Sequence, residues 1–212
     1  MPKPTANQII DDAAALLQDA TNTRWSRAEL FAHVNNGQRD LCMVKADAYV
    51  LNAAFTLVAG TKQTLPDGGL AFVRVACNLS PSDVRGRVPR EMPLAVLDRQ
   101  NPNWHSAPAS ATVMEVAFDP RDPKHFYTSP PQPATPGKVE LVYCATPPDI
   151  AVPTAEMTLD AIYKTALVSY VVYKAYLIEG EFQNNAGAAT HRAEFLQLLG
   201  AKDRAESTSE PS

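Results

Sequence analysis

Most of the 18 prolines in this 212-residue chain fall between Pro66 and Pro153. Proline lacks an amide hydrogen and its ring collides with the preceding helical turn, so no long helix can cross that stretch. The middle of the chain, from about Phe55 to Pro148, therefore has to fold from short extended segments. Its β-branched and aromatic runs, separated by turn residues, fit that requirement. Candidate strands are Phe55 to Val58, Gln63 to Leu65, Leu70 to Ala76, Thr112 to Phe118, His125 to Thr128 and Val139 to Ala145. The run Phe118-Asp119-Pro120-Arg121-Asp122-Pro123 predicts a turn joining an antiparallel pair, because Asp bonds its own backbone and Pro presets φ. Pro93 to Asp98 predicts a short helix with proline in its first turn, where the missing N–H costs nothing.

The flanks carry helical signals instead. Thr5 and Gln8 have capping-box spacing, followed by an apolar stripe at Ile9, Ala13, Leu16 and Leu17, which predicts a helix from about Ala6 to Asp19. Ser26 and Glu29 form a second box, with Trp25 and Leu30 spaced as a hydrophobic staple, and Leu30, Phe31, Val34 and Leu41 supply a buried face. Asn35, Asn36 and Gly37 weaken this helix, Gly by roughly 1 kcal/mol relative to Ala, and a kink or a close helix contact accounts for them as well as function does. After Pro147, Pro148 and Pro153 a long helical pattern resumes at Thr158. Its wide apolar surface implies several packed neighbours, within the chain or between chains. A last helix runs from about Phe182 to Leu199 and ends near Gly200.

These features predict an α+β fold in which the N- and C-terminal helices form a helical bundle and the β-rich middle is an insertion. The expected divisions are 1–53 and 154–200 for the helices, 54–153 for the inserted domain, and 201–212 for a flexible C-terminal tail with nothing large and apolar to bury.

Composition narrows the function. A net charge of −4 with 20% charged residues argues against an autonomous high-affinity nucleic-acid binder. Cys42, Cys77 and Cys144 are odd in number and widely spaced, pointing to buried thiols in a reducing cytosol rather than to disulfides or zinc. Met1-Pro2-Lys3-Pro4 does not open a signal peptide, and the most apolar run, Ala166 to Ile178, is too short and too interrupted to span a membrane.

Catalytic chemistry is not prominent. His33, His105, His125 and His191 are scattered, without paired metal-ligand spacing. No GxSxG elbow or phosphate-cradling glycine loop is present. Asp11 and Asp12, adjacent on a helix, point about 100° apart and cannot act as a carboxylate pair. Asp119 and Asp122 lack the spacing, turn glycine and distal Glu of a calcium loop. No cofactor is expected. Arg74, Arg85, Arg87 and Arg90 form the one basic cluster. It suits contact with DNA phosphates, but a solvated hairpin or an inter-subunit salt bridge is the commoner use of such residues. Trp25 and Trp104 are read as core or staple residues.

Several blocks share a pattern with a known family. They are Trp25-Ser26-Arg27-Ala28-Glu29-Leu30 with Val34-Asn35 and Gln38-Arg39-Asp40-Leu41; Gln63-Thr64-Leu65-Pro66-Asp67-Gly68 with Arg74-Val75; Trp104-His105; Phe118 to Arg121; and Leu167 to Tyr176 followed by Glu179, Glu181-Phe182 and Phe195 to Gly200. From about Ala6 to Gly200 the chain resembles the adaptor proteins of short-tailed bacteriophages. The resemblance implies a non-enzymatic structural subunit of the virion's head-to-tail connector, made in the bacterial cytoplasm. It implies a dodecameric ring beneath the portal protein that extends the DNA channel, has transient contact with phage DNA during ejection, and offers a platform to the tail nozzle or tube. It also implies that a C-terminal extension reaches the portal, which makes Ala201, Lys202, Asp203, Arg204, Ala205 and Glu206 candidate portal contacts; a frayed terminus explains the same polar tail. A negative net charge suits a conduit through which DNA must slide. The alternative is a DNA-packaging or DNA-binding accessory protein using the four arginines, and a virion cell-wall hydrolase is a third reading without a recognisable nucleophile or acid pair.

Overall fold

A computed structural model describes residues 2–200. The chain divides into two compact units, one built from the residues before Tyr49 together with those after Thr146, the other being Tyr49–Thr146.

The first unit is helical. α1 (Ala6–Leu16) starts at Thr5 and α2 (Arg27–Val44) at Ser26, each through a complete capping box in which the cap hydroxyl accepts from the third residue's N–H and that residue's side chain accepts from the cap N–H. The loop between them is pinned by Asp19, whose carboxylate accepts from the N–H groups of Thr23, Arg24 and Trp25 at 2.8 to 3.1 Å. After a 3-10 turn over Ala161–Tyr163, capped by Asp160, α4 (Lys164–Tyr176) packs against α1, α2 and α5 (Asn185–Leu198). That explains its continuous burial from Ala166 to Val172. Gly37 is the close contact of α2 with α4: a Cβ there would lie 2.8 Å from the Tyr170 ring and 3.0 Å from Leu167.

The second unit holds β1 (Val50–Thr56), β2 (Gly60–Thr64), β3 (Gly69–Leu79), β4 (Arg90–Pro93), α3 (Leu94–Gln100), a 3-10 turn at Trp104–Ser106, β5 (Glu115–Phe118), β6 (His125–Gln132) and β7 (Lys138–Ala145). One sheet has the order β1-β7-β3 and is antiparallel; the other has the order β2-β6-β5-β4 and is antiparallel except for the parallel pair β4–β5. Leu57, Phe72, Val75, Val113, Val116, Phe126, Val139, Leu141 and Tyr143 belong to one buried cluster. In it the Phe72 ring stacks on Phe126 at 4.9 Å. A smaller cluster gathers Leu97 and Ala117 around a fully buried Trp104, whose indole N–H donates to Asp98 at 3.0 Å. Each fully buried large side chain contributes about 1.5–3 kcal/mol.

The expected bundle of N- and C-terminal helices with a β-rich insertion is not the architecture. Five α-helices are spread along the described residues, α3 among them in the midst of the strands, and seven strands make two sheets. Pro93 explains α3: its fixed φ, here −60°, suits the residue just before a helix, so the proline-rich stretch starts a helix it could not have carried in its interior. Among the described residues no helix is long and apolar enough to cross a membrane.

Candidate functional site

The four arginines singled out in the sequence lie in the strand unit but do not form one patch. Arg74 sits on β3 opposite Val142 of β7, on the sheet face that also carries Glu140 and Cys144, because alternate residues of a strand share a face. Arg85 and Arg87 lie in the return after β3, which is tied back by Asn78 N–H to the Arg87 carbonyl and Gly86 N–H to the Asn78 carbonyl, both at 2.8 Å. Arg90 opens β4 in the other sheet.

Two of the four are neutralised. Arg85 Nη2 donates to Glu140 Oε1 at 2.6 Å and Arg90 Nη2 to Glu115 Oε1 at 2.5 Å, with both guanidinium groups largely exposed and both carboxylates mostly covered. The bond from Arg85 holds the Glu140 carboxyl below the usual glutamate range, against burial, with help from Cys77 and Asn52. The Cys77 thiol donates to the same carboxylate at 3.3 Å; burial, then Glu140, push its pKa up, so it is a weak nucleophile. Lys138 pairs with Asp83 at 2.5 Å. Among the described residues, Arg74 and Arg87 have no ion-pair partner. A surface so balanced can touch phosphates at two points without holding a duplex tightly.

Glu140 is a residue to which sequence reasoning gave no role. Its signal was a single carboxylate inside the otherwise apolar run Val139-Glu140-Leu141-Val142, which calls for a partner. Asn78 is the second: the residue is 8% exposed, and its side chain donates to the carbonyls of Arg87 and Val113 at 2.8 Å and accepts the Val113 N–H at 2.7 Å.

In the helical unit the polar residues of α2 hold the segment that follows Pro148. Asn35 donates to the Ile150 carbonyl and accepts its N–H, at 3.2 and 2.9 Å, and buried Gln38 accepts from Thr158 N–H at 3.2 Å. Arg39 grips Asp149 with one nitrogen on both carboxylate oxygens, at 2.6 and 2.9 Å. The Tyr170 hydroxyl donates to Asp40 at 2.6 Å, and burial, reinforced by that carboxylate, pushes its pKa well above the usual tyrosine value. These groups clamp structure.

The other sequence candidates take structural places. His105 meets Thr61, His125 meets Asp122, and His191 meets Glu194. Half-buried His33 has neither ring nitrogen partnered, and burial lowers its pKa. Among the described residues no group of three or more His, Cys, Asp or Glu side chains is placed to hold a metal. Asp119 accepts from Arg121 N–H at 2.9 Å, as a turn residue does. Asp11 and Asp12 pair with Arg27 and Lys164 respectively. Ala201, Lys202, Asp203, Arg204, Ala205 and Glu206 lie outside the described residues.

A model of the SU10 adaptor protein family matches residues 4–212, a span that takes in both units. No curated protein matches the chain.

Proposed function

The chain belongs to the SU10 adaptor protein family, a phage structural adaptor of the virion, and from that premise we propose that it is the subunit of a ring, dodecameric in its complete form, seated beneath the portal. In this reading the ring extends the DNA channel and offers the tail nozzle or tube its docking platform, and the subunit performs no catalysis. The observation that carries the proposal is the family match along nearly the entire chain. The charge balance supports it: with Arg85 and Arg90 neutralised by Glu140 and Glu115, a channel wall bearing these strands would let DNA slide. Residues 201–212, proposed as the portal-reaching extension, combine Lys202 and Arg204 with Asp203 and Glu206 and suit a polar partner surface. Co-purification of tagged portal protein from the same genome with the full chain, and with a chain ending at Gly200, tests this. Capture of the full chain with at least tenfold weaker capture of the shortened one is expected; equal capture of both removes the tail from the interface, and capture of neither removes the role.

A second reading, a DNA-binding accessory protein, draws on the unpaired Arg74 and Arg87. It predicts duplex binding by the isolated chain that falls steeply with salt and weakens when both residues become Ala. Absence of binding at low salt excludes it.

A further inference from the structure

A sheet edge is a row of unpaired backbone groups, and folded proteins blunt such edges with bulges, charge, proline or a covering segment. Three of the four edges in the strand unit are blunted in these ways. β3 has three register shifts against β7, and its outer side is closed by the return through Gly86 and Arg87. β4 is four residues long and carries Arg90, Glu91 and Pro93. β2 shifts register between Gly60 and Lys62 and bears that lysine. β1 has none of these devices. Its sequence, Val50-Leu51-Asn52-Ala53-Ala54-Phe55-Thr56, holds no charge and no proline, its register with β7 is unbroken, and Val50, Asn52, Ala53, Ala54 and Thr56 are exposed.

The register also gives the direction of each backbone group. At the two ends of the ladder, Ala145 N–H donates to the Tyr49 carbonyl and Leu57 N–H to the Gly137 carbonyl, both at 3.0 Å. Antiparallel pairs alternate between bonded and unbonded, so Leu51, Ala53 and Phe55 turn their N–H and C=O groups toward β7, while Val50, Asn52, Ala54 and Thr56 turn theirs away from it.

We propose that β1 pairs antiparallel with β1 of a second copy of this chain, about a two-fold axis at Ala53. That axis sets Asn52 opposite Ala54 and Val50 opposite Thr56, so every outward-turned residue meets an outward-turned one and exchanges both hydrogen bonds with it. A one-residue slip would set outward groups against residues already bonded to β7; a two-residue slip would leave strand ends unpaired. On the core side Leu51 falls opposite Phe55, joining two partly buried apolar side chains that already pack on the main cluster. No like charges face each other, and the small Ala53 and Ala54 let the strands approach. The product is one continuous sheet in the order β3-β7-β1-β1-β7-β3. Such a contact is isologous, whereas neighbours in a closed cyclic ring meet through two different surfaces. The pairing therefore belongs to the free subunit and opens before ring closure, shielding an aggregation-prone edge until then. The pairing itself does not depend on the adaptor reading, its release before ring closure rests on that reading, and its test involves no portal.

The test combines solution mass with site-specific cross-linking. Light scattering on a sizing column is expected to give twice the chain mass for the unmodified protein and the single-chain mass for Ala54→Pro, which removes an outward N–H that β7 does not use. Should Ala54→Pro misfold by circular dichroism, the pair N52K/A54K against N52K/A54E replaces it: like charges across the axis are expected to give monomer, and opposite charges to restore dimer. Under mild oxidation Ala53→Cys is expected to form a covalent dimer, because residues opposite each other in an unbonded pair have Cα atoms about 4.5 Å apart, within disulfide reach. Ala54→Cys, which would face Asn52, is expected to stay monomeric on a non-reducing gel. A monomeric unmodified chain, a dimer indifferent to Ala54→Pro and to the charge pairs, or equal cross-linking at positions 53 and 54 overturns the proposal.

Discussion

The helical and strand units place their polar anchors at different ranges. In the helical unit the element ends are fixed by near neighbours: Thr5 with Gln8, Ser26 with Glu29, Asp19 with the three residues Thr23 to Trp25, and Asn184 with Gly187. In the strand unit the corresponding groups reach across the chain: Asn78 to Val113, Glu140 to Arg85 and Cys77, and Gln132 to Ser110. Local anchors act as soon as a turn of helix forms. Distant ones act only once the sheet register exists, so their loss leaves buried groups with no alternative partner. The helical unit has long-range polar ties of its own, but these run from α2 to the segment after Pro148 and to Tyr170, and they secure packing rather than element ends.

That contrast can be broken by substitution, read as unfolding free energy by chemical denaturation. The largest loss is expected from Phe126→Ala, about 3–5 kcal/mol, since the ring is fully buried between Phe55 and Phe72. Asn78→Ala is expected to cost about 1–3 kcal/mol, by stranding the N–H and carbonyl of Val113, while the Arg87 carbonyl keeps the Asn78 backbone N–H. Gly37→Val is expected to cost a similar ~1–3 kcal/mol through overpacking, because the Tyr170 ring is held by Asp40 and cannot swing aside. Ser26→Ala should cost less, about 1 kcal/mol, since exposed N–H groups at a helix start find water. A Ser26 effect larger than that of Asn78 would reverse the comparison.

The smallest expected effect is acid sensitivity. Asp19 is held below the ordinary aspartate value: burial raises it, but the N–H groups of Trp25, Arg24 and Thr23 outweigh that. Glu140 is lowered by Arg85. A depressed folded-state pKa contributes stability that is present above the unfolded value and lost as pH falls through the folded one. Stability should therefore fall below about pH 4, and Asp19→Asn should make that acid limb shallower while lowering stability at neutral pH. An unchanged acid limb in Asp19→Asn would show that its three N–H donors do not favour the charged form.

The same difference in range decided what the sequence revealed. Both capping boxes were legible because their partners are three residues apart. The turn at Asp119 was legible for the same reason, and β5 and β6 on either side of it do pair antiparallel. β1 starts at Val50 rather than Phe55: Asn52, Ala53 and Ala54 have no strand preference, and pairing with β7 makes them extended. α4 starts at Lys164, later than the periodicity from Thr158 implied, because Asp160 caps a tighter 3-10 turn first. The parallel β4–β5 pair and the split into two sheets have no local signature. Neither did the separation of the arginines: Arg85 and Arg90 stand close in sequence, and only the strand register sends one to Glu140 and the other to Glu115.

Assembly beneath a portal is tested most directly by the mass of the complex. Light scattering on a sizing column should show the chain at low mass alone, and in a ring-sized stoichiometric complex once mixed with the portal protein of the same genome. A chain that keeps its free mass at every portal concentration would contradict the connector role.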